Sequence, residues 1–229
     1  MDKKNFISIA IDGPSASGKS TVAKLLASKL NFLYVDTGAM YRAYTLAVLN
    51  ASLDPKNEEE SNSLINKIEI SFNDENHITL NGKDVSKEIR ENNVANNVSY
   101  IASYKNIRLF LVSLQQKIAN NKNIVMDGRD IGTYVLKDAE VKIFLNANVE
   151  ERAKRRFNEN KEKNIKSSYE DCLENIKKRD YIDSHRDFCP LRKADDAILI
   201  DSTNLTIEEV VSEMEEIIKS KGYSLWVYL

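Results

Sequence analysis

Apolar residues in this chain come in short separated bursts, and their spacing switches between two periods. Phe6 to Ile11, Phe32 to Val35, Asn123 to Met126, Val141 to Leu145 and Ala197 to Ile200 are brief runs of the kind that form buried strands. Between them the period lengthens. Val22, Ala23, Leu25, Leu26 and Leu30 follow helical spacing, and this predicts a helix over 21–30. The same reading predicts helices over 39–49, 92–103 and 107–119, and two long charged ones over 149–163 and 168–183. Thr206 with Glu209 makes a capping-box pattern that opens a last helix, ending near Gly222.

The stretch 61–90 departs from this alternation. Ile68 to Phe72 and His77 to Leu80 alternate like exposed strands, with Asn73 to Asn76 as a turn between them. Asn81-Gly82 is a strong tight-turn signal leading into Lys83-Asp84-Val85. A small antiparallel β insert is expected there. Strands alternating with helices elsewhere predict an α/β fold, a five-stranded parallel sheet wrapped by helices. In such sheets ligands bind beyond the carboxyl ends of the strands. The loops at 13–20, 36–38 and 127–130 each follow a predicted strand, so they are expected along one rim.

Composition narrows the class. A formal net charge of -2 over 229 residues carries no nucleic-acid footprint, and the many lysines read as a solvated surface. Cys172 and Cys189 lack C-x-x-C spacing, which argues against a disulfide framework or a zinc site. No apolar run approaches membrane-spanning length. Met1 to Asn5 leads into a strand-like segment without the apolar stretch of a signal peptide, so a cytoplasmic protein is expected. The apolar end, Ser224 to Leu229, reads as a packed tail or a self-association contact.

Gly13-Pro14-Ser15-Ala16-Ser17-Gly18-Lys19-Ser20 matches the phosphate-loop pattern G-x-x-x-x-G-K-[ST] without a gap, and Thr21 follows it into the helix. Glycines allow backbone angles that aim successive N–H groups at phosphate oxygens, and the helix start adds its positive end. Lys19 is expected to reach the β- and γ-phosphates of ATP, and Ser20 to ligate Mg²⁺. The fold is therefore expected to be of the P-loop NTPase type. A switch GTPase needs an N-K-x-D motif after a late strand. This chain has none there, since Asn81-Gly82-Lys83-Asp84 has the wrong order and falls in the insert. Large ATPase machines need a longer chain. The chain holds 23 lysines and 10 arginines. Arginine is thus the scarcer cation, and its clustering in and beside these loops suits a phosphotransferase, which works by positioning and charge neutralisation.

Ile11-Asp12-Gly13-Pro14 and Asp36-Thr37-Gly38-Ala39-Met40-Tyr41-Arg42 resemble the opening of the bacterial cytidylate kinases, which are P-loop nucleoside monophosphate kinases. The resemblance continues through Glu88-Ile89-Arg90, Val94-Ala95-Asn96, Asp127-Gly128-Arg129-Asp130, Lys142 to Leu145, Arg179-Asp180, Asp183, Arg186, Pro190-Leu191 and Asp201-Ser202-Thr203. It covers nearly the whole chain in order. It implies one domain over 1–229, with a core of about 1–60 and 91–229, a monophosphate-binding insert of about 61–90 and a helical lid of about 150–187. The implied reaction moves the γ-phosphate of ATP to CMP or dCMP, in a monomer that binds neither nucleic acid nor membrane.

The resemblance also implies residue roles. ATP would lie along 13–21. Arg42, Arg129 and Arg186 would hold the acceptor phosphate, with Lys19, Arg129 and Arg186 as the catalytic cations. Ser99, Arg108 and Asp130 would read cytosine, Arg179 and Asp183 would contact the ribose, and Thr37 would line the acceptor pocket. Ser99, Arg108 and Asp183 could instead be exposed helix positions. Asp127 could hold a Mg²⁺-bound water or serve as a structural cap. Some of Arg152, Arg155 and Arg156 are expected near the ATP phosphates. Between Arg179 and Arg186 the chain reads Asp-Tyr-Ile-Asp-Ser-His, less charged than is usual in the family. Other small P-loop kinases, acting on UMP, AMP or a small metabolite, are the rival enzymes; a nucleotide-controlled binding protein is the rival of another class.

Overall fold

Helix and strand follow the apolar spacing closely. The structure is a computed structural model that describes residues 6–162 and 164–223. In chain order its elements are β1 (Ser8–Asp12), α1 (Lys19–Leu30), β2 (Leu33–Asp36), α2 (Thr37–Asn50), α3 (Glu58–Asn62), β3 (Ile70–Phe72), β4 (Ile78–Leu80) and β5 (Lys83–Asp84). A 3₁₀ turn at Glu88–Arg90 leads to α4 (Asn92–Ile101) and α5 (Lys105–Ala119). There follow β6 (Ile124–Gly128), a π-type turn (Ile131–Val135), β7 (Val141–Asn146), α6 (Val149–Glu162), α7 (Tyr169–His185), β8 (Ile198–Asp201) and α8 (Ile207–Ser220). The expectations for Met1–Asn5 and for the tail Ser224–Leu229 lie outside the described residues.

The chain divides into two units. The first comprises Met1–Val35, Ala119–His185 and Cys189–Leu229. It holds a five-stranded parallel sheet in the order β2-β6-β1-β7-β8. Register is set by β1, where Ile11 pairs with Asp127 of β6 and with Ile143 of β7. Helix α1 exists because Val22, Ala23, Leu26, Ala27 and Leu30 fall on one face and are buried. That face packs with Met214 and Val211 of α8 against Ile9, Ile11 and Leu145 of the sheet. Each fully buried aliphatic side chain there contributes roughly 1.5–3 kcal/mol. Asn31, in the left-handed region at φ 53°, ends α1. The capping box of Thr206 and Glu209 opens α8 as expected.

The second unit comprises Asp36–Ile118 and Arg186–Phe188. Its antiparallel sheet runs β3-β4-β5. Asn81 and Gly82 both take positive φ, 52° and 78°, as the tight turn between β4 and β5 requires. Helix α2 packs against this sheet, the 3₁₀ turn and α4.

Two local expectations need correction. Residues 36–38 form no loop: Asp36 closes β2, its carboxylate accepts from Ala39 N–H at 2.9 Å, and α2 begins at Thr37. Asp127 and Gly128 likewise belong to β6, because their backbone continues in register with Ile11 and Asp12.

Candidate active site

In the first unit the loop after β1 forms a cradle. Gly13, Ala16 and Gly18 take φ of 154°, 59° and 90°. A side chain at Gly13 would stand 2.0 Å from the Leu145 carbonyl oxygen, so nothing larger than glycine fits. No side chain caps the start of α1, and no acidic residue lies in its first turn. Its unbonded N–H groups and positive dipole end therefore face an incoming anion without competition.

Lys19 is buried, and its Nζ donates to the Pro14 carbonyl oxygen at 2.6 Å and to Ser17 Oγ at 3.2 Å. Burial and the nearby Arg129 guanidinium hold its pKa well below the usual lysine range, against the pull of Asp127, Asp12 and Asp180. A polyphosphate would favour the charged form. Beside it, Ser20 Oγ donates to Asp127 Oδ2 at 2.9 Å, and Tyr34 donates its hydroxyl to Asp127 Oδ1 at 2.9 Å. A hydroxyl and a carboxylate in contact at a phosphate cradle are hard oxygen groups of the kind that could hold a divalent cation.

Two arginines of α6 grip the cradle from outside. Arg152 donates to the Ser15 and Ala147 carbonyl oxygens at 3.0 and 2.9 Å and pairs with Asp180 of α7. Asp180 in turn accepts from Ser15 N–H at 3.1 Å. Arg155 donates to Ser17 O at 3.3 Å and to Ser202. Arg156 instead pairs with Glu159 along its own helix. Of the three α6 arginines, then, two hold loop carbonyls. Asp180 and Arg152 belong to the site, and no sequence signal beyond the resemblance marked them.

Arg129 and Asp130 follow β6 in the same unit. Arg129 Nε donates to Asp183 Oδ2 at 2.8 Å, and both are largely enclosed. Burial works against the Arg129 charge, but Asp183, with Asp180 and Asp127, outweighs it and raises the pKa above the arginine norm. Asp183 and Asp130 are buried, whereas Arg179, also on α7, is partly exposed.

In the second unit the structure gathers three more expected residues at one helix end. Arg108 and Arg186 both donate to the Ala102 carbonyl oxygen, at 3.0 and 3.4 Å, where α4 ends. Ser99 lies one turn earlier on α4, and all three are buried rather than exposed. Two cations there complement the negative end of the helix dipole. Arg108 also stacks over the Tyr41 ring, 5.2 Å from its centroid. Arg42 pairs with Asp36 at 3.4 Å, and Thr37 is buried beside it.

A phosphate cradle at the end of the first strand of a parallel sheet, with the Ser20 hydroxyl and Asp127 carboxylate beside its lysine, is the arrangement of a P-loop nucleotide-binding protein. The chain belongs to the cytidylate kinase family, whose sequence profile matches residues 9–220. It is 54% identical over 213 residues to a cytidylate kinase of Clostridium botulinum (strain Loch Maree / Type A3), covering 93% of this chain and 98% of that one. A cytidylate kinase of Bacillus velezensis is 51% identical over 225 residues, 97% and 100% of the two chains. Among solved structures, an uncharacterized protein from Eubacterium ventriosum superposes with a TM-score of 0.54 at 17% identity, covering 93% and 99%. Shikimate kinase from Acinetobacter baumannii in complex with shikimate gives 0.50 at 14%, covering 96% and 97%. These two likenesses concern the fold alone. Enzymes of this class use ATP with a divalent metal. No described helix is long and apolar enough to cross a membrane.

Proposed function

We propose that the protein transfers the γ-phosphoryl group of ATP to CMP, giving ADP and CDP, and that it also accepts dCMP. The observation that carries this reading is the convergence of Ser99, Arg108 and Arg186 on the end of α4. Such a set of buried polar donors suits recognition of a base and a phosphate. The name borne by the relatives supports CMP as the acceptor.

ATP lies along 13–21, its phosphates facing the N–H groups of the loop and of α1. Lys19 turns from its loop partners toward the β- and γ-phosphates. Ser20 would hold Mg²⁺ directly and Asp127 through water, and the ion would neutralise phosphate charge. Arg42, Arg129 and Arg186 hold the acceptor phosphate in line for attack. Asp130, Arg108 and Ser99 read the cytosine edge, Arg179 and Asp183 accept or donate at the ribose, and Thr37 lines the acceptor pocket. A phosphate acceptor needs no general base, so His185, exposed on α7, takes no part. The α6–α7 pair covers ATP as the lid, and the insert serves the monophosphate. The working unit is a single chain in the cytoplasm.

A coupled assay of ADP release tests this with CMP, dCMP, UMP, AMP and shikimate in turn. CMP and dCMP should give the highest kcat/KM. A better acceptor elsewhere in the panel, or ATP binding without acceptor-dependent turnover, would overturn it. Lys19→Ala should cut kcat by roughly two to three orders of magnitude; a near-normal kcat would remove Lys19 from the mechanism.

A further inference from the structure

Asp12 is the last residue of β1, the central strand, and is 4% exposed. A carboxylate so enclosed is destabilising unless its oxygens are hydrogen-bonded. Both are. Oδ1 accepts the Ile131 N–H and Oδ2 accepts the Gly132 N–H, each at 2.7 Å. These two N–H groups open the π-type turn Ile131–Val135.

The position just before that turn belongs to Asp130. An aspartate there would ordinarily cap its own turn. Asp130 makes no such capping bond. Asp12 takes both N–H groups instead, from a strand more than a hundred residues away. The Asp130 backbone is fixed from both sides. Its carbonyl oxygen accepts from Tyr134 and Val135 N–H at 2.9 and 3.1 Å, and the next N–H is held by Asp12. It sits at φ −143°, ψ 27°, outside the regular helix and strand regions. There is little slack beneath the turn: a methyl group at Gly132 would come within 3.1 Å of Lys142 Cδ and 3.4 Å of Asp12 Oδ2.

We infer that Asp12 is a positioning residue for acceptor recognition: by capping the 131–135 turn in place of Asp130, it fixes where the Asp130 carboxylate is presented to the nucleobase. The inference rests on the reading of Asp130 as a cytosine-reading group. Burial pushes the Asp12 carboxyl up to about 7, which fits a group kept enclosed for its geometry.

The test compares Asp12→Asn with Asp130→Ala, using CMP and UMP as acceptors and equilibrium binding of ATP. Asparagine keeps one acceptor oxygen but sets an NH₂ group against the second backbone N–H. Asp130→Ala should lower the CMP-to-UMP ratio of kcat/KM by about tenfold or more. Asp12→Asn should lower the same ratio and raise KM for CMP by more than it changes the Kd for ATP. If Asp130→Ala loses discrimination and Asp12→Asn keeps it, the inference fails while the reading of Asp130 stands. An equal loss with both acceptors, together with weakened ATP binding, also overturns it, because a merely structural Asp12 behaves that way. If Asp130→Ala keeps the ratio, Asp130 does not read the base and both ideas fall. Should Asp12→Asn not fold, Gly132→Ala pushes the same turn from beneath with Asp12 in place. It should shift the acceptor ratio in the same direction; an unchanged ratio would refute the role.

Discussion

Single side chains here are held by neighbours that leave no spare volume. Gly38 shows this at the start of α2. A methyl group at that position would lie 3.0 Å from Asp36 Oδ1 and 3.3 and 3.4 Å from the two Nη atoms of Arg42. Of these atoms, Arg42 Nη2 pairs with the other oxygen of Asp36, Oδ2, while Asp36 Oδ1 caps α2. Gly38→Ala should therefore displace the Arg42 fork rather than unfold the helix. The expected result is a KM for CMP raised by about tenfold with a smaller change in the KM for ATP. Steady-state kinetics with each substrate varied would check it, and equal effects on both would place the damage elsewhere. Glycine at this point was visible in the Asp36-Thr37-Gly38 segment, but the reason for it was not. The reason is an arginine four residues on, folded back over the helix start.

At the scale of elements, the phosphate loop is shaped by helices far away in the chain. Arg152 and Arg155 of α6 and Asp180 of α7 hold the peptide groups of Ser15 and Ser17. With those carbonyls turned outward, the remaining N–H groups are left to face phosphate. Asp180→Asn keeps an acceptor for Ser15 but loses the charge that holds Arg152. It should raise the KM for ATP several-fold and spare the KM for CMP; the reverse pattern would refute the clamp. A simpler element-level test is Thr206→Ala, which removes one half of the capping box and should cost about 1 kcal/mol in urea unfolding. That box was legible because both partners sit within one turn, as was the β4–β5 turn at Asn81-Gly82. The clamp was not legible, since its partners are more than a hundred residues apart. Nor was α3, which depends on the Asn57 cap and has no apolar repeat. The π-type turn escaped notice for a similar reason: its first two N–H groups are satisfied by Asp12, in another strand.

For the whole molecule, strand number and parallel pairing followed from the alternation of strands and helices, while the order β2-β6-β1-β7-β8 is a product of packing. That order puts β1 between β6 and β7, and so encloses Asp12. Enclosure has a consequence for stability. Burial foremost, with Asp130 adding, pushes the Asp12 carboxyl from 3.8 to about 7, against the Ile131 and Gly132 N–H groups and Lys19. Unfolded, the same group loses its proton near 3.8. Between those values the folded protein keeps a proton that the unfolded chain has released, so rising pH favours unfolding. The stabilising contribution is complete below 3.8, is lost as the pH climbs through about 7, and is constant above that. Carboxylates with lowered pKa, such as Asp196 beside Lys142, act in the opposite sense as the medium is acidified. The parent melting curve alone therefore mixes several groups. Asp12→Asn carries no proton to lose and isolates the one. Thermal melts of parent and variant, followed by circular dichroism from about pH 4 to about pH 8, should show the variant gaining on the parent as pH rises. The gap should level off above about pH 7. A gap that stays constant over that range would mean that Asp12 is ionised throughout, held so by its two N–H donors and Lys19.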